Sequence, residues 1–129
     1  MEPRMKRSPL ILAGIAALMG AAGVALAAAG VHESGGELAE RGALFLLLHA
    51  AAALAIAAHA RVAIASARAL VVVGFVMEAG AALFSAELAM RAFTGERIFP
   101  FAAPIGGTTM MLSRVALALV FATASRRAA

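Results

Sequence analysis

The sequence predicts an all-α integral membrane protein, a single domain of four spanning helices arranged as an up-down-up-down bundle. Three observations lead there. Apolar residues make up 64% of the 129-residue chain and charged residues 14%, against about 45–50% and about 25% in an ordinary soluble domain. A water-soluble chain of this size needs a polar shell around one core, and at a mean hydropathy of +0.96 too little polar material remains to build it. The apolar residues also fall into four stretches, 9–31, 42–60, 69–90 and 101–125, each near the ~20 residues that carry a helix across ~30 Å of hydrocarbon. Helices are required there because lipid offers no partner to open backbone groups, and the alternation of barrel strands is absent.

The first span, Pro9–Val31, follows Arg4, Lys6 and Arg7 and contains Ala25-Leu26-Ala27, which together resemble a signal peptide. Its apolar run exceeds the 7–15 residues of a typical signal core, so the segment is read as a retained span. Gly14, Gly20, Gly23 and Gly30 lie along it. His32 to Arg41 forms a polar, Gly-rich connection with Glu33, Glu37 and Glu40, expected as an exposed outer loop. The second span, Gly42–Ala60, ends in a basic turn from Arg61 to Arg68. The third, Ala69–Met90, carries Gly74 and Gly80, and Arg91 to Pro100 leads to the fourth, Phe101–Ser125. Small residues let helix backbones approach closely, which drives association where no hydrophobic effect operates between helices. Gly106-Gly107, after Pro104-Ile105, is read as a helix entry with such an approach. No lysine or strand accompanies it to make a phosphate cradle. The connections are short, so sequence neighbours become antiparallel spatial neighbours.

Basic residues set the orientation. Arg4, Lys6, Arg7, Arg61, Arg68, Arg126 and Arg127 share one side; Arg41, Arg91 and Arg97 share the other; Arg114 alone lies within a span. The excess places both termini in the cytoplasm of an inner (plasma) membrane protein. The same distribution excludes nucleic acid despite a pI near 11.4, because no basic patch interleaved with aromatics exists. Tyr and Trp are absent, so Phe and Arg must anchor the interfaces. The absence of Cys rules out disulfides and thiolate chemistry,. No metal-ligand spacing, Walker loop or nucleophile elbow occurs. The expectation is a non-enzymatic chain with no cofactor and no metal.

Three ionisable residues fall near mid-bilayer: His49, Glu78 and Arg114, roughly 13–18 Å from the cytoplasmic ends of their spans at 1.5 Å per residue,. A charge at a helix centre costs ~2.5–3.5 kcal/mol on insertion scales, so such groups face a bundle interior or a partner. Glu78 and Arg114 sit on consecutive antiparallel helices at similar depth. An ion pair fixing helix register, within the chain or against another subunit, is the economical reading. The alternative is a polar transport path lined by Glu78, Arg114 and His49 in an oligomer. Glu87, nine residues after Glu78, points to the opposite face, and a surface pair with Arg91 one turn on is expected. His49 is the single weak candidate for holding a cofactor, as a haem ligand in a redox anchor, against a hydrogen-bonded core role. His32 and His49 could approach one another only with a shifted register between the first two spans.

The order of these features resembles the YgdD-like family, small four-helix membrane proteins of unknown function with bacterial and small mitochondrial members. Ala29-Gly30-Val31-His32 stands where the family's first helix ends in Gly-Ala-His. His49-Ala50-Ala51 matches a second-helix His followed by small residues, Leu83-Phe84-Ser85 a third-helix Leu-Phe-Ser, and Ala103-Pro104-Ile105-Gly106-Gly107 the start of the fourth. Leu112-Ser113-Arg114 stands where the family has Leu-Gly-Trp, and Glu78 has no counterpart in the pattern. The resemblance implies the fold and the membrane location and brings no activity with it. The function expected is that of an accessory or assembly subunit of a membrane complex. Its partners are the lipid bilayer and either other membrane subunits or further copies of itself; His32, His49, Glu78 and Arg114 are expected as buried polar or partner contacts.

Overall fold

The computed structural model describes residues 3–32, 36–62 and 65–129, residues 3–6 by backbone alone. Four helices follow one another: α1 Pro3–His32, α2 Gly36–Val62, α3 Ala67–Thr94 and α4 Ala102–Ala128. All four are long and apolar enough to cross a membrane, and the chain is a multi-pass membrane protein.

The helices extend past their apolar stretches, α4 at its C-terminal end only, because the lipid sets the minimum length and local chemistry sets the ends. Arg61 belongs to the last turn of α2. α3 is capped by Ser66, whose Oγ accepts the Ala69 N–H at 3.3 Å,. It closes on Gly95 in the left-handed conformation (φ 75°), whose N–H donates to Arg91 O,. The polar stretch expected as a loop before the second span is partly helical. α2 starts at Gly36, so Glu37 and Glu40 are exposed on its first turns. A carboxylate in the first turn suits the helix dipole, and Glu37 accepts from Arg41 one turn on at 2.6 Å,. Glu33 lies outside the described residues.

Packing follows the glycines. α1 lies on α2, α2 on α3, α3 on α4, and α1 also reaches α3. A Cβ at Gly23 or Gly30 of α1 would press on Leu47 or Ala39 of α2. One at Gly74 would meet Leu12 of α1 and Ile56 of α2. Leu12, Ala16, Ala53, Ile56, Leu70 and Met77 form the core shared by the first three helices. Higher up, buried Ser85 donates to Gly42 O across 2.8 Å, tying α3 to α2.

α4 is held differently. Its backbone packs on α3 alone, along the stripe Ala102, Gly106, Met110 and Ser113. A Cβ on Gly106 would come within 2.7 Å of Gly80 O and of Phe84 N, so the two backbones touch at a glycine–glycine crossing. Beyond Ser113 no residue of α4 is buried. In the most apolar 18-residue stretch of each helix, 44% of residues are buried in α2 and α3 but 17% in α1 and α4. The bundle is therefore open along α4.

Candidate functional site at mid-membrane

The three mid-depth polar residues are divided by α3 rather than gathered. Gly80 faces α4, since a Cβ there would meet Thr109 and Gly106 O. Glu78, two residues earlier, is turned ~200° away. It shares a face with Gly74, one turn before it, which packs on α1 and α2. Glu78 is 2% exposed, and neither carboxyl oxygen has a hydrogen-bond partner.

Arg114 is on the far side of α3 from Glu78. It follows Ser113 by ~100° of helix turn, which takes it off the α3-facing stripe, and it is exposed. The expected Glu78–Arg114 ion pair is thus not formed within the chain. Among the described residues the one ion pair is Glu37–Arg41 at the surface. The physical reason is the Gly80–Gly106 contact. It fixes which face of α3 meets α4, and Glu78 is not on it.

Arg114 instead lines a groove of about 390 Å³ between α2 and α4, with Phe45, His49, Phe84, Gly107, Met110 and Met111. The groove exists because α2 and α4 both pack on α3 without their backbones meeting. His49 is buried, and its Nδ1 lies 2.7 Å from Phe45 O. A carbonyl can only accept, so Nδ1 carries the hydrogen and Nε2 of the neutral ring keeps its lone pair. Phe45 lies roughly parallel to the His49 ring and edge-on to Phe84 at 5.0 Å. Near the C-terminal end of α2 the ring of His59 meets Phe121 of α4 edge-on at 5.3 Å.

His49 and Arg114 are therefore brought together in one groove, Glu78 is separated from both, and a single path through all three is not formed. His32, expected as a buried polar or partner contact, is exposed at the end of α1. Gly30 packs on Ala39 and Gly20 near Ala50, so the α1–α2 register is unshifted and leaves His32 far from His49. No group of three metal-ligating side chains occurs among the described residues.

Glu87 departs from the place its sequence neighbours predict. It is not in a surface pair with Arg91 but 2% exposed, with Oε2 accepting the Ile98 N–H at 2.7 Å. It lies seven residues after Gly80 and three after Phe84, on the stripe of α3 that faces α4. There it ties down the connection into that helix. That connection ends on Phe101 with φ 72°, a left-handed conformation that is strained for a bulky residue. The spacing from Gly80 was the available signal.

No curated protein and no solved structure matches this chain. A family model described as a protein of unknown function (DUF423) matches residues 19–107. That range takes in His49, Glu78 and the Gly80–Gly106 crossing, and Arg114 lies beyond it. The match covers more than half of the sequence, and the chain belongs to this family of unknown function, DUF423.

Proposed function

We propose that this protein is a non-enzymatic subunit of the inner (plasma) membrane, an accessory or assembly component of a larger membrane complex, with both termini in the cytoplasm. One observation carries the reading: α4 presents Arg114 at mid-span on an uncovered side. Around it Met111, Leu112, Val115 and Leu119 are 59–65% exposed. The apolar residues are at ease in lipid; a guanidinium at that depth is not. Arg114 lies 12 residues from the start of α4 and 14 from its end, about 18 and 21 Å at 1.5 Å per residue. Snorkelling serves long basic side chains near helix ends, and Arg114 is near neither. A second membrane-embedded surface laid against α4 removes the conflict. The orientation rests on the seven-to-three basic asymmetry of the sequence,.

The test is extraction in mild detergent followed by native separation of wild-type and Arg114→Leu protein. The wild type should migrate well above its 13.0 kDa chain mass after allowance for detergent, together with a second polypeptide that the variant loses. A wild type that runs as the free chain, or a complex indifferent to the change, refutes the reading. A reporter fused after Ala129 that is active only outside the cytoplasm refutes the orientation.

A further inference from the structure

We propose that the groove between α2 and α4 receives a transmembrane helix of a different chain, one that carries a carboxylate at mid-depth to pair with Arg114. The inference rests on the subunit reading above and names its partner's chemistry.

The argument is one of charge and depth. The groove wall is apolar apart from His49 and Arg114, and Arg114 is its one fixed charge. An anion is the natural occupant, because a guanidinium–carboxylate contact satisfies both groups with parallel hydrogen bonds. Three sources could bring an anion. The first is a second copy of this chain. Its seven acidic residues are all Glu: Glu2 and Glu33 fall outside the apolar stretches of the sequence, Glu37, Glu40 and Glu96 lie near or beyond helix ends, and Glu87 is engaged with the Ile98 N–H. Glu78 alone has the right depth, and it is enclosed on the α1–α2 side of α3, 2% exposed. Self-association therefore leaves Arg114 unmatched. The second is a phospholipid. Its phosphate sits at the interface, about 15 Å from the midplane of a ~30 Å core, whereas Arg114 lies within about 2 Å of the middle of α4,. The third is an acidic side chain held at mid-depth by another spanning helix, which has the required depth and needs no bilayer thinning. Gly107 adds no side chain of its own to the groove, whose wall there is the ring of Phe84.

The probe is a pair of synthetic single-span Leu/Ala peptides, identical except for Glu or Gln at the central position. The full-length protein, labelled at its C-terminus, is reconstituted in phosphatidylcholine vesicles, and peptide association is read by energy transfer. The Glu peptide should bind about five- to tenfold more tightly than the Gln peptide, the scale of a polar contact between spanning helices. Arg114→Gln should abolish the preference, and Arg114→Lys should retain part of it. Arg114 is exposed, so neither change disturbs packing, and unchanged helical content is the control. Equal binding of the two peptides overturns the proposal, as does a preference that survives Arg114→Gln. Arg114-dependent energy transfer between two labelled copies overturns it in favour of a homo-oligomer. Arg114-dependent binding of oleate at the peptide's concentration overturns it in favour of an acidic amphiphile.

A photo-crosslinker at Met111 in cells separates this failure from that of the subunit reading. A protein adduct in cells with no Glu preference in vesicles sinks the present proposal and leaves the subunit reading standing. A Glu preference with no adduct sinks the subunit reading.

Discussion

Glu78 and Glu87 share a helix, a side chain and an exposure of 2%, yet their situations are opposite. Glu87 faces α4, and the turn leading into that helix hands it a backbone N–H at 2.7 Å. Glu78 faces α1 and α2, where neither oxygen finds a donor. Two spanning helices meeting in lipid keep their N–H groups for themselves. A carboxylate buried between mid-helix segments meets only side chains, and here the nearby core positions are Ala, Leu, Ile and Met. A carboxylate near a helix end can reach the irregular backbone of a connection, where N–H groups are free. Depth along the helix, and not burial, separates a structural carboxylate from an unsatisfied one.

The strongest way to break the comparison is to remove α4 from its face of α3. Gly106→Val places a methyl-bearing carbon against Gly80 O and Phe84 N. Those backbone atoms cannot yield as a side chain would, so a loss of about 3 kcal/mol is expected. It should appear as a lower midpoint in denaturant titration in detergent and as protease access to the 95–101 connection. An unchanged midpoint means that α4 docks elsewhere than at the glycine crossing. Glu87→Met comes next. It leaves the Ile98 N–H without its acceptor, and an unsatisfied donor costs about 1–3 kcal/mol. Hydrogen exchange at Ile98 should accelerate while the amides of α3 stay protected.

Much of this was legible in the sequence, and the illegible part has one cause. The four spans, the small-residue contacts and the close entry at Gly106-Gly107 follow from hydropathy and side-chain size, which any bilayer reads alike. The register of the partners did not follow. Glu78 and Arg114 have matching depth, and depth is what a span boundary gives; the azimuth between two helices is set by which glycines interlock. Gly80 and Gly106 interlock, and that turns Glu78 from Arg114 by more than a third of a turn. The same two glycines put Glu87 on the α4 side, where a surface pair with Arg91 had been expected. α2 starts earlier than polarity predicts, because Glu37 and Glu40 look like loop residues, while Arg41, one turn after Glu37, supports a helix,.

The reverse sign is expected on the other face. Glu78→Met replaces an unpartnered carboxyl by an apolar side chain of similar length. Insertion scales put a centrally placed acid at ~2.5–3.5 kcal/mol, but the unfolded chain in lipid bears much of the same cost. A gain of about 1 kcal/mol in the folded state is therefore expected. The midpoint in denaturant should rise where that of Glu87→Met falls. A fall for both variants would mean that the folded protein supplies Glu78 with a partner, and the contrast between the faces would be gone.

The smallest effect is expected at Ser85, on the same side of α3 as Glu78 but nearer its end. Its Oγ donates to Gly42 O, so Ser85→Ala deletes one buried bond between α2 and α3. The carbonyl is not stranded by the change. It has two lone pairs, and its place in the helical ladder of α2 is unaffected. The cavity left by a hydroxyl is small, and Gly42 would still accept the approach of Leu88 and Leu26. Interhelical hydrogen bonds in membranes average ~0.6 kcal/mol by double-mutant cycle, and a loss of that order is expected. Ser85→Val is the sharper variant, because it removes the donor and adds a methyl group that presses on the Gly42 backbone. If it costs no more than Ser85→Ala, the α2–α3 contact there is loose enough to absorb a methyl group. The tightness seen at Gly80–Gly106 would then belong to the α4 face of α3 alone.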